Sequence, residues 1–266
     1  MNVFAKDLRF GLKPFLLWAL ALFVFVFAGS IKFTGMEAGG VGAMSALLDS
    51  FPRIVLAVMG FSGADITTFS GFYGLLEVYV TIIIAIFAVH AGGTAVSRER
   101  VDKTYEFLFT KPRSRSSILV AKIAAGMVFL VMLCLLNLGF SQAGYMALGL
   151  SENLLVTFGF FTLAQFLIGL VFFSLGALLG AAAPAPEIGA RIGNLSVLIF
   201  YMLGVVYASF DSVSFLRVIT PFKYFDQTAL ANHELELPFV ILSLGISAVA
   251  LAAAFWSFKR RDLVAA

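Results

Sequence analysis

The chain has 266 residues, of which 61% are hydrophobic and only 12% charged, with a net charge of +3 and a mean hydropathy of +1.01. A soluble fold needs a charged exterior, so a soluble enzyme or binding module is excluded. The small positive charge does not point to nucleic acid, because the basic residues border apolar runs rather than forming a patch.

Charge-free runs occur at 14–31, 78–97, 123–151, 153–186, 192–210 and 237–258. A helix rises about 1.5 Å per residue, so roughly 20 residues cross the hydrocarbon core. Each run reads as one transmembrane helix. None alternates apolar and polar residues as a barrel strand does. The predicted fold is therefore an all-α polytopic membrane protein, one transmembrane domain over residues 1–266 with six spans.

The first helix is predicted over 14–31. Lys6, Arg9 and Lys13 before an apolar stretch also outline a signal peptide. The stretch is long and rich in Trp and Phe, and Phe27-Ala28-Gly29-Ser30 is a poor cleavage site, so a retained span is the reading. In the segment 32–73, Leu47, Leu48, Phe51, Ile54, Val55 and Val58 recur at helical spacing, an amphipathic surface pattern. Pro52 can start or kink a helix there. The run from Ile54 to Ala64 is too short to span and reads as interfacial or re-entrant.

The second helix is predicted over 74–96, the third over 118–148 and the fourth over 154–182, the last two forming a hairpin. Ala183-Pro184-Ala185-Pro186 stops the fourth. The fifth covers 189–210. Segment 211–237 is too apolar for a free loop and predicts an outer re-entrant or interfacial helix. The sixth, 238–258, ends in Lys259-Arg260-Arg261.

With the N-terminus in the cytoplasm, every Lys and Arg except Lys32, Arg53, Arg217 and Lys223 falls on the cytoplasmic side. The positive-inside rule therefore predicts a multi-pass plasma-membrane protein with both termini cytoplasmic.

Motifs of catalysis are missing. There is no phosphate-binding glycine loop and no Gly-Lys pair, so ATP phosphates have no cradle. His90 and His233 lack metal-ligand spacing, and Cys134, the single cysteine, cannot form an intrachain disulfide. No catalytic residue, metal site or bound cofactor is predicted.

Polar groups inside spans are candidates for a pathway or for helix ties: Glu77, Asn137, Gln142, Gln165 and Asn194. Glu77 falls near the outer interface, where water can hydrate it. Asn137, Gln165 and Asn194 read more readily as ties. His90 reads as a buried or interfacial hydrogen-bonding group. The pairs Gly176-x-x-x-Gly180 and Gly189-x-x-x-Gly193 allow close backbone approach, read as packing within the chain.

The densest charge lies in Ser97–Ser117. Val101, Tyr105 and Leu108 share a helical face, and Glu99 precedes Lys103 by one turn in the favourable order. Pro112 stops this short helix, Arg113 and Arg115 sit at headgroup level, and Ser114, Ser116 or Ser117 can cap the next span. Spacing alone favours an interfacial anchor that snorkels to anionic lipid.

The segment resembles the cytoplasmic signature of membrane subunits of ATP-binding-cassette exporters of the second type. The matching residues are Arg98, Glu99, Thr104, Glu106, Phe107, Leu108, Pro112, Ser114, Arg115 and Lys122. Lys103 replaces the family's glycine and Phe109 its second leucine. An outer Pro221-Phe222 and a basic tail with Arg261-Asp262 fit the same architecture. The resemblance implies a permease domain whose coupling helix docks on a cytoplasmic nucleotide-binding ATPase subunit. Arg98, Glu99, Val101, Thr104, Tyr105, Glu106, Leu108, Pro112 and Arg115 would form that surface. It also implies a second permease chain, identical or homologous, surrounding lipid, and ATP and Mg held by the partner. Alternatives are an ATP-independent secondary transporter or channel, or a non-transporting scaffold. A secondary transporter would show inverted repeats or several midplane charges, and neither is present.

Overall fold

A computed structural model describes residues 3–39, 50–61, 68–101, 114–149 and 154–260. The described residues form helices and turns, and six helices have the length and hydropathy to cross a membrane. These are α1 (Val3–Gly39), α3 (Phe69–Val101), α4 (Arg115–Ala147), α5 (Leu155–Ala182), α6 (Pro186–Ser209) and α9 (Leu237–Arg260). Between them lie three short helices, α2 (Arg53–Val58), α7 (Leu216–Ile219) and α8 (Gln227–Ala231).

Several spans are longer than their charge-free runs. α1 begins near Lys6 and continues through Pro14 to Gly39, well beyond 14–31. A charge-free run marks only the hydrocarbon part. Helix turns beyond it place long basic side chains at the interface without breaking hydrogen bonds. α3 starts at Phe69, where the Thr68 hydroxyl accepts from the Gly71 amide (3.1 Å). Ser114 caps α4 by accepting from the Ser117 amide (3.2 Å). Pro186 opens α6, because a proline at the first helical position loses no intrahelical bond.

α3 is the hub, packed on α1, α4, α5 and α6. Its most extensive partner is α5, which runs parallel to it: Tyr73 packs on Phe158 and Phe161, and Gly93 approaches Gly180. In lipid the hydrophobic effect does not drive helices together, so close backbone packing must. A Cβ on Gly92 would strike the Phe173 carbonyl oxygen, and one on Gly176 the Val89 carbonyl oxygen. A Cβ on Gly180 would lie 2.7 Å from the Gly93 carbonyl oxygen. Gly176-x-x-x-Gly180 thus seats α5 on α3 within the chain. Gly189 lies against the Leu179 backbone and Gly193 against the Val89 side chain, also intrachain contacts.

α9 packs mainly on α5, α1 mainly on α4, and α1, α6 and α9 show large apolar side chains such as Leu17, Leu198 and Val249 outward, as a lipid-facing rim requires. The segments between spans dip back into the bundle. The Tyr201 hydroxyl donates to the Val58 carbonyl (2.7 Å) and that of Tyr79 to the Met59 carbonyl (2.8 Å). Thr220 donates to the Phe200 carbonyl (2.6 Å), more than two turns inside the end of α6. The expected single helix in 211–237 is instead a chain of short pieces. A 3₁₀ turn at Asp211–Val213, α7, a second turn at Pro221–Lys223 and α8 follow one another. Pro221 and the cap at Asp226 interrupt any longer helix, and the side chain of Asp226 accepts from the Thr228 and Ala229 amides (2.9 and 3.2 Å).

Replacing Gly176 by Ala should lower stability by about 3 kcal/mol, since a backbone carbonyl cannot step aside. Gly245→Ala, where nothing lies within 4 Å, should be nearly neutral. Thermal unfolding of the two purified variants in detergent compares them.

Candidate functional site

The two ends of the bundle differ in chemistry. One end gathers the start of α1, the end of α3, the start of α4, the α5–α6 connection and the end of α9. The chain's basic ends meet there. The Asp7 carboxylate accepts from the Lys122 ammonium (3.3 Å) and lies 3.9 Å from the Arg98 guanidinium. Asp7 and Lys122 are both buried. A single carboxylate therefore ties α1 to both helices that flank residues 102–113. On the other side of this end, the Ser257 hydroxyl donates to the Ala181 carbonyl (3.3 Å), holding α9 to α5.

Among the expected docking residues, Arg98 and Glu99 lie in the last turns of α3, Val101 ends it with its side chain exposed, and Arg115 opens α4. Thr104, Tyr105, Glu106, Leu108 and Pro112 lie outside the described residues. Asp7 was missed by motif reading. The signal for it was a lone acid among Lys6, Arg9 and Lys13.

Midway along the bundle toward the opposite end, three of the predicted polar residues meet. Asn137 Nδ2 of α4 donates to Glu77 Oε2 (3.2 Å) and to Gln165 Oε1 (3.0 Å), and Gln165 Nε2 of α5 donates to Glu77 Oε2. The Tyr73 hydroxyl, one turn before Glu77, donates to Ser141 Oγ (3.0 Å). Glu77 is 2% exposed. This corrects the expectation of a hydrated interfacial carboxylate: amide donors from α4 and α5 hold it, because a buried charge or acid must find partners inside the protein. Among the described residues no Lys, Arg or His pairs with it. Asn194 does not join the cluster and faces outward on α6, and His90, expected buried or interfacial, is exposed on α3.

Glu77 and Gln165 form the inner wall of a cavity of about 750 Å³. It is walled by α3, α5 and α6 and roofed by α2, α8 and the turns of 211–226. Gly60, at φ +83, lets the chain turn across the top, and its carbonyl accepts from Gln227 Nε2 (3.4 Å). The mouth carries exposed Arg53 and Asp226. The guanidinium of Arg217 pairs with Glu236, donates to the Lys223 carbonyl (3.1 Å) and lies over the Phe239 ring at 4.4 Å. Burial holds the Lys223 ammonium below its usual lysine value, against the opposing pull of Asp226. No group of three metal-ligating side chains occurs among the described residues. The arrangement offers a solvent-connected binding space with an acidic inner end, and no nucleophile-base pair for covalent chemistry.

The profile of ABC-2 family transporter proteins matches residues 1–263. No curated protein matches the chain at a significant level.

Asn137→Leu removes the donor shared by Glu77 and Gln165 and should cost about 2 kcal/mol, read as a lower unfolding midpoint with insertion intact. Asp7→Asn, which withdraws the charge facing buried Lys122, should cost on the order of 3 kcal/mol. Adding Lys122→Met should recover part of that loss in a double-mutant cycle.

Proposed function

The chain belongs to the ABC-2 transporter family as a multi-pass ABC permease subunit, and from that premise we propose that it moves substrate outward, driven by ATP hydrolysed on a separate ATPase subunit docked at residues 97–117. ATP and Mg are held by that partner. Two permease chains, identical or homologous, and two ATPase chains make the assembly. Both termini and the docking segment face the cytoplasm of the plasma membrane.

One observation carries the reading: the helices on either side of 102–113 are continuous and are tied together at that end. α3 runs unbroken to Val101, α4 starts at a capped Arg115, and Asp7 links both to α1. A push on the segment between them would reach the bundle through rigid helices rather than be lost in a loose loop. Arg98, Glu99, Val101, Thr104, Tyr105, Glu106, Leu108, Pro112 and Arg115 would supply the apolar ridge and the flanking charges. The orientation is supported by the separation of basic residues along the bundle. Lys6, Arg9, Lys122, Lys259 and Arg260 belong to the end that carries 98–115, and Arg53, Arg217 and Lys223 to the other.

Tyr105→Ala and Glu106→Ala should each reduce ATP-driven transport about tenfold or more, as truncating a central docking residue does. Insertion and thermal stability should be unchanged. The assay is transport in proteoliposomes with the co-purified ATPase. Full transport in both variants overturns the docking role.

A further inference from the structure

We propose that the cavity beside Glu77 binds an organic ammonium ion, its charged nitrogen at the Glu77 carboxylate and its apolar body against the ring-lined wall. This rests on the transporter reading for its role as a substrate site and names the substrate class, while the binding itself needs no ATPase.

The first ground is charge. Glu77 lines the cavity, and among the described residues no cation pairs with it. Asn137 and Gln165 donate to its oxygens, which orients the carboxylate but does not neutralise it. A ligand cation would. The basic residues of the cavity are Arg53, Arg217 and Lys223. Arg217 pairs with Glu236, and the Asp226 carboxylate also belongs to the lining. An anionic ligand would meet a carboxylate at the inner end.

The second ground is the hydrogen-bonding character of the inner wall. Gln227 Oε1 is buried and has no hydrogen-bond partner. A Cβ on Gly74 would lie 3.5 Å from that oxygen, which places it over α3 one turn, about 5 Å, before Glu77. An unpartnered acceptor thus lies about one turn from the carboxylate, and both belong to residues that line the cavity. An unpartnered acceptor beside an uncompensated carboxylate favours a ligand rich in N–H groups, since leaving a buried acceptor unmade is costly. The third ground is the wall. Phe161, Tyr201 and Phe222 line the cavity, and the last two pack edge to face at 5.8 Å. Rings at this spacing hold an apolar body and attract a cation. A volume of about 750 Å³ takes a drug-sized molecule rather than a bare ion.

The test uses the full chain in lipid nanodiscs and monodansylcadaverine, a fluorescent primary ammonium on an apolar ring system. Its N-acetyl derivative keeps the body and loses the charge. Empty nanodiscs report lipid partitioning. Saturable binding is expected, weakened tenfold or more by acetylation and by Glu77→Gln, which preserves size, keeps one acceptor oxygen and removes the charge. Gly204→Phe, which adds a ring to the cavity wall away from Glu77, should weaken it as well. No saturable signal above empty nanodiscs overturns the proposal. So does equal binding of the acetylated probe, or unchanged binding by a folded Glu77→Gln variant, which would leave that carboxyl as a helix tie. Should Glu77→Gln fail to fold, the acetylated probe and Gly204→Phe decide between the same two outcomes. Binding with no ATPase ever associating would remove the exporter reading and keep the site; association and transport without binding would do the reverse.

Discussion

The close approach of α3 and α5 is the constraint on which the rest of the bundle depends. Gly92 and Gly93 on one helix and Gly176 and Gly180 on the other bring backbone against backbone, so that side chains farther along meet in a set register. That register puts Glu77 beside Gln165 and Tyr73 beside Phe158 and Phe161. In a membrane, where apolar surface has no preference between lipid and protein, such contacts and buried polar bonds supply the specificity that water supplies elsewhere. A slip by one residue would turn Glu77 away from its amide donors, at a cost lipid could not offset.

The polar cluster and the cavity are two consequences of the same packing. α3 and α5 are in contact from Tyr73 to Gly93, and the cavity lies between this pair and α6. The short segments fill the top of that space. The carbonyls of Met59, Val58 and Gly60 accept from Tyr79, Tyr201 and Gln227, so backbone outside the long helices keeps hydrogen-bond partners. The roof is also packed into the core, through buried Tyr224, Phe225 and Leu230 and the stacking of Tyr224 on Phe239.

At the opposite end the ionic contacts of Asp7 make α1, α3 and α4 one mechanical unit next to residues 102–113. In the proposed exporter such a joint would pass a push on residues 102–113 into the bundle. α3 reaches both ends: it carries Arg98 near one end and Glu77 near the other.

The sequence by itself determined the spans, their number and their approximate centres, because about 20 apolar residues can be accommodated in a bilayer in only one way. It also narrowed the cap of α4 to Ser114, Ser116 or Ser117 and marked the break before Pro186 and the glycine pairs, since these are local rules of backbone geometry. It identified Glu77, Asn137 and Gln165 as candidates but not as neighbours, and it grouped Asn194 with them although that residue faces outward. Which face of a helix meets which partner is invisible when every face is apolar. Only the tertiary structure decided that Glu77 is held by amides at the inner end of a cavity, that Asp7 closes on Lys122, and that 211–237 folds as short helices and turns over that cavity. Those outcomes depend on helix rotation and depth, which are set by contacts between segments far apart in the chain.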